Sequence, residues 1–262
     1  MEKFLSDQYM NFNLIYENHK SRIYRAVCKK NMQSVIIKSL NLKHPSEEDI
    51  NYFSNGYEII KKLNHPDLIQ VYDLKLGYKQ AAYVMEDIGG ISLDIICGRQ
   101  TLSLDKIFDI IICTLDNLTH IHDASIVHLD INPSNIIWNS ETRQLKIIDF
   151  ETAIYSLLRL NFFNKPKKII GSLPYISPEQ TGRLNYPVDY RSDFYSLGVT
   201  LYELLTHSKP FHSNDYQEII YSHIAKNPQS PSEINPDIPE ILSEIVLKLM
   251  AKVPEERYQS HT

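Results

Sequence analysis

Over the first ninety residues the apolar positions come in short alternating runs, "RIYRAV", "SVIIKSL", "LIQVYDL" and "AAYVME", rich in Val, Ile and Tyr and closed off by Asn, Lys or Gly. Alternation of this kind sends successive side chains to opposite faces and predicts four strands of an antiparallel sheet. Between the second and third runs the period changes. Ile50, Phe53, Tyr57, Ile60 and Leu63 recur at helical spacing, and Ser46 followed by Asp49 predicts a capped start. The expectation is a single helix inside a small sheet.

The Gly-rich stretch "DIGGISLD" at 87–94 divides two regimes, and after it the pattern is mostly helical. "SLDKIFDIIICTLDNLTHIHDAS" has near-continuous apolar cover and predicts a buried helix; "SDFYSLGVTLYELLTH" predicts a core helix in which Gly198 allows close approach. "YQEIIYSHIAK" and "PEILSEIVLKLMAK" predict amphipathic helices separated by Pro-rich connectors. "IIWNSETRQLKIIDF" interrupts the helices with two short strands and a polar turn, a hairpin suited to lining a cleft. The fold class this predicts is α+β with a small sheet lobe over 1–86, a connecting hinge region over 87–94 and a larger, mainly helical lobe over 95–262.

Composition narrows the classes. With 262 residues and 43% hydrophobic content the chain is long enough to bury one large core or two lobes, and it carries no signature of disorder. Its 27 basic and 32 acidic residues give a net charge of −5, which argues against nucleic acid as a partner. Cys28, Cys97 and Cys113 are odd in number and lack metal-knuckle spacing, so reduced packing thiols in a cytoplasmic setting are expected. The opening "MEKFLSDQYMNF" puts acidic and polar residues where a signal peptide needs an apolar run. No stretch approaches the ~20 apolar residues of a membrane helix, so no membrane insertion is expected.

Candidate chemistry lies in a series of short motifs. From Lys38 to Tyr258 the chain presents, in order, "VIIK", "HLDINPSN", "DFE", "GSLPYISPE", "DYRSDFYSLG" and "ERY". Any one could arise by chance, but the ordered set resembles the eukaryotic-type protein kinase family over essentially the whole chain. The resemblance implies a bilobal fold and transfer of the γ-phosphoryl group of ATP to protein Ser/Thr hydroxyls, with Mg²⁺ (or Mn²⁺) as the divalent ion. Such chemistry needs positioning and charge neutralisation more than covalent help from the protein.

By that resemblance Asp130 is the base-like residue that orients the substrate hydroxyl, and Asn135 and Asp149 are the metal ligands. Lys38 bridges the α and β phosphates. Met85 stands at the rear of the nucleotide pocket, the backbone of Glu86 and Ile88 faces adenine, and Ile23, Ile36 and Ile137 sandwich the base. Core packing is nearly as good an account of these three isoleucines. Ser172 stands where serine/threonine kinases carry a hydroxyl beside the catalytic aspartate. Glu179 and Arg257 are expected to form a buried ion pair, and Asp193 to brace the backbone of the catalytic loop. Lys165, Lys167 and Lys168 form a basic cluster able to meet acidic substrate segments, although a solvated loop is the plainer account.

A narrower resemblance is carried by "EIIKKLN", "MEDIGGISL", "DINPSNII", "YISPEQTGRLN", "DYRSDFYSLGVTLYELLT" and "LMAKVPEERYQS". It is to bacterial kinase domains that open very large signalling proteins, in which an ATPase module and sensor or histidine-kinase modules follow. Against that pattern the chain stops at "RYQSHT", before a final helix, which implies a fragment or a split-off domain.

Departures from the kinase pattern fall at defined positions. Tyr16, Asn18 and Ser21 replace the glycines of the phosphate-covering loop, and Gly56 takes the helix position of the glutamate that pairs with Lys38. Glu58 lies two residues away and roughly 200° around a 3.6-residue helix, so it faces elsewhere. Leu129 replaces the catalytic-loop arginine, Asn132 stands where a lysine contacts the γ-phosphate, and Glu151 replaces the glycine of the metal-binding triplet. Retention of Lys38, Asp130, Asn135 and Asp149 implies a serine/threonine kinase of reduced activity. Gly56 and Glu151 imply instead a pseudokinase, a module that binds nucleotide or signalling partners.

Overall fold

The computed structural model describes residues 2–99, 101–156 and 169–261, so the cluster Lys165, Lys167 and Lys168 lies outside the described residues. The chain divides into two compact units, Met1–Gly90 and Ile91–Thr262.

The small unit is a five-stranded antiparallel sheet in the order β1-β2-β3-β5-β4: β1 Tyr9–Glu17, β2 Ser21–Cys28, β3 Ser34–Leu40, β4 Val71–Gly77 and β5 Gln80–Glu86. A short helix α1, Glu2–Leu5, precedes it. Helix α2, Glu47–Leu63, begins with the Ser46–Asp49 capping box: the Ser46 hydroxyl accepts from the Asp49 amide and the Asp49 carboxylate accepts from the Ser46 amide. Four strands follow from alternation, but β1 does not. It is an edge strand, mostly exposed, with register shifts and a left-handed Asn11 (φ 56°), so it carries no clean period. The run "LIQVYDL" also enters its strand late, at Val71; Leu68 and Ile69 are buried outside the ladder.

Register sorts the sheet into two faces. Tyr24, Ala26, Val35, Ile37, Ala82 and Val84 point to one, where Leu5 and Tyr9 complete a buried core. Phe4 packs over Gly77, where a Cβ would come within 2.8 Å of its ring. Ile23, Lys38 and Tyr83 are directly paired on the other face, as are Ile36 and Met85 one step along. That face receives α2, whose Phe53 and Tyr57 rings lie 4.9 and 6.2 Å from Tyr83.

The large unit opens with β6, Ile91–Ser92, and α3, Leu93–Arg99, so the last residues of "DIGGISLD" belong to it. Helix α4, Leu104–Asp123, corrects the expectation of a helix buried all round. Ile107, Ile110, Thr114, Leu118 and Ile121 form a single buried stripe, while Phe108 and Ile112 are 43% and 57% exposed. Strand β7 is Ile126–Val127, the hairpin β8–β9 is Ile136–Asn139 with Gln144–Ile147, and β10, Ile154–Tyr155, pairs with β7. Helices α5, Arg191–Thr206, α6, Tyr216–Ala225, α7, Pro231–Ile234, and α8, Glu240–Leu249, complete the unit. Helix α5 is buried almost throughout. A Cβ on Gly198 would meet Leu249 and Met250 at 2.8 Å, so this glycine sets how closely α5 and the end of α8 approach. No helix among the described residues is long and apolar enough to cross a membrane.

Candidate active site

The segment between β7 and β8 is organised around one carboxylate. Asp130 follows Leu129, whose φ of 67° is left-handed and strained for a bulky side chain. Asp193, at the start of α5 and 0% exposed, holds that backbone: its Oδ1 accepts from the Leu129 amide at 2.7 Å and its Oδ2 from the His128 amide at 2.9 Å. Burial pushes the Asp193 carboxyl up, but the hydrogen bonds it accepts from the His122 ring and the His128 amide outweigh it and keep the group below the usual carboxylate range. Gln180 completes the clamp, its Nε2 donating to the Leu129 carbonyl at 2.9 Å and the Ile170 carbonyl at 3.2 Å.

The Asp130 side chain is then fixed from two directions. Its Oδ1 accepts the Ser172 amide at 2.7 Å and its Oδ2 the Asn135 Nδ2 at 3.0 Å. Burial raises the Asp130 pKa; the Ser172 bond and the His128 charge oppose this, while the neighbouring negative charge of Asp149 adds to it. Asn135 closes the 3-10 turn Pro133–Asn135 and leads directly into β8, its carbonyl accepting from the Ile148 amide at 2.9 Å. Because Ile136 pairs with Ile147, Asn135 and Asp149 emerge at the same end of the β8–β9 hairpin. Asp149 has φ 69° and ψ 69°, again left-handed, and opens the 3-10 turn Phe150–Thr152 that contains Glu151.

Asn132 is 4% exposed and its side chain is engaged within the loop. Its Oδ1 accepts from the Ser134 amide at 3.0 Å, and its Nδ2 donates to the Asp130 carbonyl at 3.0 Å and reaches the Ser172 hydroxyl at 3.4 Å. Beyond Ser172, the Tyr175 hydroxyl donates to Glu203 at 2.5 Å, and Glu203 also pairs with Lys209 at 3.1 Å. Burial, then Glu203, drives the Tyr175 hydroxyl far above its ordinary value, so it remains a donor. Glu179 and Arg257 form a two-pronged pair at 2.7 and 2.8 Å with side chains 1% and 0% exposed. Ser192 also donates to Glu179, and Arg257 also donates to the carbonyls of Ala251 and Arg191. Ile137, half-buried on β8, pairs with Ser92 and Lys146.

In the small unit, Lys38 is 5% exposed on β3, with Ile23, Ile36 and Met85 on the same sheet face. Glu86 ends β5, its amide donating to the Gln70 carbonyl at 3.0 Å and its carboxylate accepting from the Gln70 amide at 2.7 Å. Next to Ile88, Asp87 pairs with Arg25 at 2.6 Å and accepts from the Gly89 amide at 2.9 Å. Gly56 is buried on α2 beside Tyr57, and Glu58 is exposed, as the helical angle between them requires. At the β1–β2 turn the Asn18 Oδ1 accepts the amides of Lys20 at 2.8 Å and Ser21 at 2.7 Å, and the Asn18 amide donates to the Ser21 carbonyl. None of residues 16–21 has a left-handed backbone, so this turn closes without glycine.

Sequence reasoning missed Gln180, His122 and Asn18. The partners of the first two lie far off in the chain, and Asn18 stood out there merely as a missing glycine. The arrangement as a whole gives a half-buried, doubly held carboxylate beside a second carboxylate and a carboxamide.

The model of the protein kinase domain matches residues 14–262. A probable serine/threonine-protein kinase of Streptomyces coelicolor is 32% identical over 251 residues, covering 94% of this chain and 36% of the relative. A probable serine/threonine-protein kinase of Clostridium perfringens is 31% identical over 260 residues, covering 98% and 37%. The serine/threonine-protein kinase PknB of Mycobacterium tuberculosis is 34% identical over 203 residues, covering 76% and 32%. The chain thus spans about a third of the length of the curated relatives it matches.

Proposed function

The chain belongs to the protein kinase domain family, and from that premise we propose that it transfers the γ-phosphoryl group of ATP to serine or threonine hydroxyls of proteins, at a reduced rate. The single observation that carries this reading is the Asp130 carboxylate, half-buried, held by the Ser172 amide and Asn135 Nδ2, with the backbone before it braced by Asp193. A carboxylate so fixed can accept a hydrogen bond from a substrate hydroxyl and orient it for in-line attack.

Asn135 and Asp149 suit a hard divalent cation, since a carboxamide and a carboxylate are both oxygen donors and both Nδ2 bonds of Asn135 go to Asp130, leaving Oδ1 as its metal-facing atom. A bound Mg²⁺ or Mn²⁺ supplies charge neutralisation for the phosphates. Lys38 adds positive charge toward the α and β phosphates. Ile23, Ile36 and Ile137 give the adenine apolar surfaces, Met85 backs the pocket, and the Glu86 and Ile88 backbone recognises the base edge. Asn132 positions Asp130 and Ser172, because its amide is engaged with both. Asp193 braces the catalytic-loop backbone, and the Glu179–Arg257 pair ties together distant parts of the large unit.

The reduced rate rests on Gly56, on Glu151 and on the β1–β2 turn, whose Lys20 and Ser21 amides point to Asn18. A kinase working at ~1–100 s⁻¹ that loses two contacts each worth ~10²–10³ would fall to roughly 10⁻⁶–10⁻² s⁻¹ if the losses multiplied. The same three features favour a second reading, a pseudokinase that binds nucleotide or a signalling partner. The phrases "DINPSNII" and "YISPEQTGRLN" support placing the domain among kinase domains of large bacterial ATPase and sensor proteins. The mass of the natural polypeptide tests that placement.

The function itself is tested by transfer of γ-labelled phosphate to the protein and to a generic Ser/Thr substrate, in Mg²⁺ and in Mn²⁺, for wild type and Asp130→Ala. Transfer that vanishes in the variant supports the kinase reading. Equal background in both turns the assignment to the pseudokinase.

A further inference from the structure

We propose that His261 is a positioning residue for phosphoryl transfer: by donating a hydrogen bond to His122 it fixes the tautomer in which His122 supports Asp193, and through Asp193 the catalytic-loop backbone. The proposal rests on the kinase reading for its activity arm and on geometry for the rest.

The chain of contacts is continuous and lies within the large unit. His261 Nε2 is 2.7 Å from His122 Nδ1, and His122 Nε2 is 2.7 Å from Asp193 Oδ2. Asp193 then holds the amides of His128 and Leu129 immediately before Asp130. A carboxylate can only accept, so the His122 proton sits on Nε2. In the neutral ring Nδ1 is then an acceptor, and its partner His261 is the donor. Burial holds the His261 imidazole below its ordinary value, in keeping with a neutral donor. The ionisable groups facing this pair are Asp193, Asp123 and Tyr190.

His261 is itself placed by several contacts. Its ring stands edge-on to Phe194 at 5.1 Å and tilted to His122 at 4.9 Å. Two residues earlier, the Gln259 carbonyl accepts from the Tyr190 hydroxyl at 2.8 Å and the Gln259 side chain from Arg191 at 3.1 Å. The loop has reason to need this support. Leu129 is strained, and it is held there by Asp193 on its amide and Gln180 on its carbonyl. A His122 ring free to take the other tautomer would turn a lone pair toward Asp193 and weaken one of those two holds.

Two substitutions separate positioning from packing. His261→Phe keeps a ring against Phe194 and His122 but donates nothing; His261→Gln restores an N–H donor. The expected result is a kcat about tenfold lower in His261→Phe with KM for ATP and melting temperature close to wild type, and recovery in His261→Gln to within about twofold. Wild-type kcat in His261→Phe, or equal impairment in both variants, overturns the proposal. A second readout does not depend on activity: ¹⁵N NMR of the His122 ring. It should report a protonated Nε2 and bare Nδ1 in the wild type near neutral pH, and a mixture of tautomers in His261→Phe. A doubly protonated or Nδ1-protonated His122 in the wild type, or an unchanged ring in the variant, overturns it. Were the wild type to transfer no phosphate, the kinase reading would fail while the NMR result still decided the role of His261.

Discussion

The loop that carries Asp130 and the β1–β2 turn of the small unit are both places where kinase chemistry constrains the backbone, and they are built in opposite ways. In the first, buried polar groups interlock around two left-handed residues, Leu129 and Asp149, and Asp193, Gln180, Asn132 and Asn135 each make more than one bond. In the second, a single half-buried asparagine closes the turn and takes up the Lys20 and Ser21 amides, and on α2 of the same unit a buried glycine stands where the kinase pattern has a glutamate. On the proposed kinase reading, the difference teaches where a shortfall would lie: in the parts assigned to gripping phosphate, not in those assigned to orienting a hydroxyl.

The comparison can be broken hardest at the buried Glu179–Arg257 ion pair of the large unit. Glu179→Ala leaves Arg257 buried without its carboxylate, and urea unfolding should register a loss of ~3–5 kcal/mol. A loss below ~1 kcal/mol would mean that the large unit is not held together at this point. A pH profile sharpens the comparison next. Burial raises the Asp130 pKa, so as pH falls the base is neutralised earlier than an ordinary carboxylate, and kcat/KM should drop about tenfold per unit below that value. An acid limb no higher than the ordinary Asp value of ~3.9 would contradict the desolvated, doubly held carboxylate. The smallest effect is expected at the turn. Asn18→Gly releases the Lys20 and Ser21 amides and should lower KM for ATP severalfold; a higher KM would show that Asn18 aids nucleotide binding.

Legibility in the sequence followed the range of the interactions. Strand β3 and the capped start of α2 were readable because alternation and the Ser46–Asp49 box are local patterns. Strand β1 was not, since an exposed, bulged edge strand has no buried face to impose a period. The cover of α4 misled because apolar residues also occupy its solvent face at Phe108 and Ile112. Asp130, Asn135 and Asp149 stood out by motif order, whereas Gln180 serves the loop across 51 residues and His122 meets Asp193 across 71, distances at which sequence gives no spacing signal.

The measurement that bears most directly on the central claim is single-turnover phosphotransfer, with ATP affinity measured in parallel, for wild type and for Gly56→Glu combined with Glu151→Gly. Gly56 lies on the α2 face that packs toward Tyr83, the strand partner of Lys38, and so a glutamate there is on the side of the sheet that Lys38 occupies. If the hydroxyl-orienting machinery is complete and the phosphate grip is what limits the rate, the double variant should transfer phosphate at least ~10-fold faster. A rate no faster than wild type, with the fold and ATP binding intact, would contradict that account.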